Sequence, residues 1–176
     1  MDKDEVPFML AGEFHKGMPA PRSDPGCLPP EGWEASEKYD GYRAQWVKVN
    51  GEWMFLSRAQ KPFIGTPDWY KLALPDVNLD GELWVGRENF ESMGVVRRHK
   101  PEPYEWIPVK FIVYDLPSVK KPFSERLKLL RKVVKENKDR WGKVKETLPE
   151  EFQIECPVQM ATQTTIQSEE HMEKMY

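Results

Sequence analysis

The chain is poor in the residues that build metal and redox centres. It holds two cysteines, Cys27 and Cys156, which form no C-x-x-C pair, and three histidines, His15, His99 and His171, each standing alone. That pattern excludes a zinc site of ordinary ligand spacing and a disulfide framework. No apolar run approaches the roughly 20 residues that a membrane-crossing helix needs. The start, Met1-Asp2-Lys3-Asp4-Glu5, is acidic and lacks the apolar core of a secretory signal. An intracellular protein, of cytoplasm or nucleus, is expected, with no membrane partner. Internal repeats and low-complexity tracts are missing too, which leaves an ordinary globular chain. Its 176 residues, 39% hydrophobic and 12% aromatic, suffice for one domain with a sizeable core.

Net charge is only −3, so the whole chain does not advertise a polyanion ligand. The distribution is uneven. Residues 120 to 145 carry eleven lysines and arginines against three acids, whereas residues 146 to 176 carry one base against seven acids. A basic block of this density can meet phosphates. A solvated helix face is its commoner origin.

The sixteen prolines fall mostly between candidate elements. Residues 1 to 32, rich in Pro and Gly from Pro19 to Gly32, read as an irregular arm, and the folded part as 33 to 176. Alternation from Trp33 predicts a strand entering the bend at Lys38. Gln45 to Val49 and Glu52 to Leu56 flank Asn50-Gly51, a dipeptide that tolerates positive φ at both central positions of a tight hairpin. Val77 to Val85 and Val109 to Asp115 read as strands, the second apolar on both faces and so buried in a sheet. Ser124 is placed to cap a helix with Leu127, Leu130, Val133 and Val134 on one side. Phe152 to Met160 reads as a strand that Pro157 confines to an edge or bulge. Ser168 is placed to cap a last helix, Glu169 to Lys174. The balance predicts an α+β domain of mostly antiparallel sheets with flanking helices.

The run Glu37-Lys38-Tyr39-Asp40-Gly41-Tyr42-Arg43 gathers chemistry into one short bend. A free lysine has a pKa of about 10.4, so at pH 7 only about one amine in a few thousand is neutral and able to attack phosphorus. Burial or a neighbouring cation such as Arg43 would raise that fraction. Asp40, two residues on, leaves an extended segment on the same face as Lys38 and suits proton transfer or orientation of the amine. Gly41 lets the backbone pass close to another group. Arg43 offers a planar fork matched to phosphate or ribose oxygens. Without further support, this is a surface Lys-Asp pair before a turn.

The support comes from a resemblance. Lys38-Tyr39-Asp40-Gly41-Tyr42-Arg43-Ala44-Gln45 resembles the first motif of the adenylation domain of ATP-dependent DNA ligases, within the covalent nucleotidyltransferases. The Ala-Gln continuation is more like DNA ligases than capping enzymes, and Arg43 is unlike the NAD-dependent ligases. Ser57-Arg58 resembles the next motif, with Ala59-Gln60 in place of the usual continuation. Leu79-Asp80-Gly81-Glu82-Leu83-Trp84 resembles the third, and Phe111-Ile112-Val113-Tyr114-Asp115-Leu116 the one whose aromatic ring lies against adenine. Pro7-Phe8-Met9-Leu10-Ala11 is a loosened form of the lead-in Pro-Met-Leu-Ala. Taken singly, Glu82, Tyr114 and Arg58 are ordinary strand or surface residues. Their order after Lys38 carries the likeness.

The resemblance implies an ATP-grasp-like nucleotidyltransferase fold and nick sealing in duplex DNA. Lys38 and Asp40 are the implied catalytic residues, with Lys38 taking AMP from ATP. Glu37, Lys38, Arg43, Arg58, Glu82 and Tyr114 are implied to hold the nucleotide, and Glu82 also Mg2+. The family continues to a fourth-motif glutamate, a K-x-K motif and an OB domain, for which no match is read here. The expectation is a partial adenylation domain, incomplete at its C-terminus and impaired alone, whose partners are nicked DNA and the missing part of the same protein. An RNA ligase, a GTP-using capping enzyme, and a catalytically silent nucleotide- or DNA-binding module are the alternatives.

Overall fold

The computed structural model describes residues 29–87 and 89–175. The lead-in at residues 7–11, most of the arm, His15 and Cys27 lie outside the described residues. The described residues divide into two compact units, one of Tyr39–Ala161, the other of residues 29–38 and 162–175.

In the first unit, β2 (Tyr42–Val49) and β3 (Glu52–Ser57) form the expected hairpin. At its tip Asn50 has φ 49° and Gly51 φ 87°, the left-handed pair that matches the twist of the strands. After a short helix α1 (Asp68–Leu72), strand β4 (Leu79–Trp84) pairs antiparallel with β2, and β5 (Lys110–Asp115) antiparallel with β4. Helix α2 (Phe123–Val144) then carries the chain back to β6 (Val158–Met160), so that β6 runs parallel to β5. A helical crossover permits this and a tight turn does not. The sheet order is β3-β2-β4-β5-β6.

Alternation sorts the side chains onto two faces. One face carries Ala44, Trp46, Phe55, Leu79, Leu83, Phe111 and Val113, and α2 adds Leu130 and Trp141 to the same core. Aromatic pairs knit it: Phe55 meets Phe111 edge-on at 4.8 Å between centroids, and Tyr70 meets Trp106 at 4.9 Å. Each such pair contributes about 1 kcal/mol beyond its buried area. The other face carries Arg43, Gln45, Asp80, Glu82 and Tyr114.

In the second unit, β1 (Glu34–Ser36) pairs antiparallel with β7 (Gln163–Thr165) over three residue pairs. Helix α3 (Glu169–Glu173) follows, its first turn capped by Ser168, whose Oγ accepts from the His171 N–H at 3.0 Å.

Three expectations need correction. Ser124 does not cap α2: the helix begins at Phe123 after Pro122, with no side-chain cap, because a proline there fixes φ and gives up an N–H that would be orphaned anyway. The strand expected over Phe152 to Met160 is a 3-10 turn (Glu150–Phe152) followed by β6 alone, since Pro157 cannot donate to the ladder. β6 does lie at the sheet edge. The strand expected to enter the Lys38 bend stops at Ser36, and residues 37–40 have no regular structure.

Candidate active site

Gly41 is where the first motif meets the third. A Cβ at this position would stand 2.1 Å from the Leu83 carbonyl oxygen, so only glycine lets the segment pass β4 this closely. The approach brings the Gly41 N–H to the Glu82 carboxylate, which accepts it at 3.2 Å. Tyr39 lies edge-on against Trp84, 5.2 Å between centroids, on the same stretch of β4.

The β2–β4 register then sets Arg43 opposite Glu82 and Gln45 opposite Asp80. Arg43 nonetheless gives its fork to Asp80: Nη2 donates to Oδ2 at 2.7 Å and Nε to Oδ1 at 3.3 Å. Its guanidinium carbon lies 5.9 Å from the Tyr114 ring centre, within cation–π range. Tyr114 donates its phenolic hydrogen to the Gly81 carbonyl at 3.3 Å. Arg43, Asp80, Glu82 and Tyr114 thus line one face of one sheet, behind strands whose opposite face is packed core.

Electrostatics on this face are unusual for a strand surface. Burial pushes the Glu82 carboxyl up to about 7, against the Gly41 N–H and Arg43, which favour its anion, while Asp80 and Asp40 add to the rise. Burial also raises the Asp80 carboxyl, opposed by its bonds to Arg43. The Tyr114 hydroxyl is raised too, by burial first and by Asp80. The Gln45 amide is fully buried beside Asp80 without a hydrogen bond of ordinary geometry to either of its polar atoms.

The remaining candidates are placed as follows. Asp40 is exposed on the segment that leads into β2, close enough to Glu82 to act on its charge. Arg58 is exposed in the turn after β3, at the end of the hairpin where Ala44 pairs with Ser57, and makes no hydrogen bond or ion pair among the described residues. Glu37 and Lys38 are exposed and belong to the second unit. Asp80 was passed over in the sequence although it stands in the quoted Leu-Asp-Gly-Glu-Leu run. The signal was there, because residues i and i+2 of a strand share a face and Asp80 therefore accompanies Glu82. A K-x-K spacing also escaped notice at Lys143-Val144-Lys145. These lysines close α2, which packs on the core face, away from Arg43 and Glu82, and Lys145 Nζ donates to the Ile154 carbonyl at 3.3 Å.

No group of three or more His, Cys, Asp and Glu able to hold a metal occurs among the described residues. Glu82 still fits Mg2+, which is commonly held by one or two carboxylates together with water and substrate phosphates. Asp80, committed to Arg43, does not.

The family model for the ATP dependent DNA ligase domain matches residues 27–176. The chain belongs to this DNA ligase family. A curated DNA ligase of Haemophilus influenzae is 29% identical over 121 residues, covering 69% of this chain and 43% of its own length. Among solved structures, the ligase domain is similar to a chain from a structure-function analysis of Lig E DNA ligases, with TM-score 0.63 and 23% identity over 94% of this chain and 56% of that one. It is also similar to the ATP-dependent DNA ligase from bacteriophage T7 in complex with ATP, with TM-score 0.52 and 19% identity over 81% and 52%. The two structural likenesses show the fold, an α+β domain with antiparallel-rich sheets. The ligase domain spans about half the length of these relatives. No helix among its described residues is long and apolar enough to cross a membrane.

Proposed function

We propose that this ligase domain binds ATP and transfers its AMP to Lys38, the first step in sealing nicks in duplex DNA. The observation that carries the reading is the shared sheet face: Arg43, Glu82 and Tyr114, drawn from three separate motifs, stand on it together. In the proposed step the lone pair of the neutral Lys38 Nζ attacks the α-phosphorus. An N–P bond forms, the bond to the pyrophosphate oxygen breaks, and the amine proton passes to Asp40 or water. Arg43, its fork seated on Asp80, turns its positive charge and outer edge toward phosphate or ribose oxygens, Arg58 offers a fork to them, Glu82 accepts from ribose hydroxyls, and Tyr114 presents its ring to the base. Glu37 completes the nucleotide-binding set. Magnesium, held through Glu82, would neutralise charge on the phosphate oxygens. Positioning and charge neutralisation supply most of the acceleration in phosphoryl transfer. AMP then passes from Lys38 to the 5′-phosphate at a nick, and the 3′-hydroxyl displaces it as the strand is joined.

The 176 residues contain no match to the fourth-motif glutamate, and Lys143-Val144-Lys145, at the end of α2, stands away from Arg43 and Glu82. Self-adenylylation by this chain is therefore expected to be weak, and sealing to need further protein. Incubation with α-labelled ATP and magnesium, then denaturing electrophoresis, tests both statements. The expected result is a faint covalent band with ATP, weaker still with GTP, and absent from Lys38→Ala. A band that persists in Lys38→Ala removes Lys38 as the acceptor, and a robust wild-type band contradicts the impairment. Preference for GTP would favour capping chemistry instead.

A further inference from the structure

The reading above uses Glu82 of β4 and leaves Asp80 without a task. Asp80 is 1% exposed, its partner Arg43 is 22% exposed at the side chain, and the contact is two-point, through Nε and Nη2. A carboxylate that engages both nitrogens of a planar fork fixes its plane as well as its position. The neighbouring carboxylate cannot compete for the fork. Asp115, which stands beside Asp80 across the β4–β5 ladder at a bulge, is taken by Arg126 of α2 at 2.7 and 3.0 Å and by the Leu116 N–H at 2.7 Å. Two adjacent buried acids are thereby assigned one arginine each, Asp115 on the side of the helix and Asp80 on the side of the candidate site.

We propose that Asp80 is a positioning residue: it locks the Arg43 fork in one orientation, and it acts on nucleotide through Arg43 alone. The proposal rests on the reading that Arg43 meets the nucleotide. It differs from a purely structural ion pair in one measurable respect. A structural pair lowers stability when broken but leaves no coupling in ATP affinity, whereas a positioning residue loses its influence on ATP once Arg43 is gone.

The test uses the 176-residue chain labelled with nitrogen-15 at arginine. The Arg43 Nε–H is expected to exchange slowly with water and to lose that protection in Asp80→Asn, while the Arg126 Nε–H, held by Asp115, keeps its own and reports an intact fold. In parallel, ATP is titrated at millimolar concentration and followed by chemical-shift change. Asp80→Asn is expected to weaken ATP binding about tenfold, the equivalent of about 1.4 kcal/mol. Arg43→Ala is expected to weaken it at least as much, and the double variant no more than Arg43→Ala. Arg43→Lys, which keeps the charge against Asp80 but not the fork, is expected to behave like Arg43→Ala. It also serves if Asp80→Asn fails to fold. The proposal is overturned if the Arg43 signal stays protected in Asp80→Asn, if Asp80→Asn weakens binding as much in the Arg43→Ala background as alone, or if Arg43→Lys binds ATP normally. A normal loss in Arg43→Ala with full affinity in Asp80→Asn overturns this proposal alone. Unchanged affinity in Arg43→Ala, or no binding by the parent chain, overturns it together with the nucleotide-binding reading.

Discussion

At the scale of single residues, Glu82 ties the candidate site to the stability of the sheet. Its carboxyl titrates near pH 7 in the folded chain because burial disfavours the anion, against an ordinary value of 4.5. A raised carboxyl means that the folded state holds a proton which the unfolded state has released. The associated stability is full below about pH 4.5 and is lost as pH rises through 7. In metal-free buffer, thermal unfolding should therefore show a loss of stability across that window. Glu82→Gln should flatten the Glu82 contribution and melt higher than wild type at pH 8, while losing adenylylation. A variant with the wild-type pH slope would show that Glu82 ionises as an ordinary surface acid. Gly41 makes the second residue-scale case. Gly41→Ala puts a methyl carbon 2.1 Å from the Leu83 carbonyl, so the segment must swing away and give up its hydrogen bond to Glu82. The expected cost is about 1 to 3 kcal/mol, read from urea unfolding, together with loss of the Lys38 label.

At the scale of elements, what was legible in the sequence depended on how local the cause was. The Asn50-Gly51 hairpin was legible because two adjacent residues fix its turn, and β5 because Phe111, Ile112 and Val113, all buried, put apolar side chains on both of its faces. Helix α1 and the 3-10 segments Phe90–Arg97 and Pro103–Trp106 were not legible. They are too short for a helical period to declare itself, and Trp69, Tyr70 and Trp106 are buried by the core they join rather than by a pattern of their own. The parallel pairing of β6 was hidden for a related reason: direction follows from α2 as a crossover, which no residue within β6 encodes. Within the candidate site, Arg43, Glu82 and Tyr114 could be named from their motifs, but the choice of Asp80 over Glu82 as the partner of Arg43 follows from side-chain packing across β2 and β4 that no local pattern encodes. Two residues of α2, one in its first turn and one well inside it, give a paired prediction. Ser124→Ala should change stability by less than about 0.5 kcal/mol, because Ser124 makes no cap. Asn137→Ala should cost about 1 to 3 kcal/mol: the buried amide donates to the buried Ala73 carbonyl at 2.8 Å, which its loss leaves without that partner, whereas exposed Arg140, which donates to Asn137 at 2.8 and 3.2 Å, keeps the Leu72 and Leu74 carbonyls. Chemical denaturation of the two variants side by side decides it, and equal effects would refute the assignment of the cap.

At the scale of the whole chain, the two units should differ in local stability. The first is organised by a five-stranded sheet with one face packed under α2, and its inner strands β2, β4 and β5 contribute fully buried Ala44, Leu79, Leu83, Phe111 and Val113. The second holds a two-stranded ladder of three residue pairs and a five-residue helix. A ladder that short is marginal in water when taken by itself, because few hydrogen bonds and little apolar area oppose the entropy of ordering it. Native-state hydrogen exchange should therefore find amides of β2, β4 and β5 opening only with global unfolding. Those of β1 and β7 should open through a sub-global step of lower free energy. Lys38 belongs to the second unit, so the proposed nucleophile lies on the part of the chain with the lower expected protection. Ligand that binds only the folded form stabilises it by mass action. Saturating ATP should then slow exchange at the Gly41 amide, which is bonded to Glu82, more than at amides of β3, whose side chains are not among the nucleotide candidates. Equal protection of β1 and β2 without ATP would show that the two ladders unfold as one cooperative body. Slowing at β3 but not at Gly41 would move the nucleotide off the Glu82 face altogether.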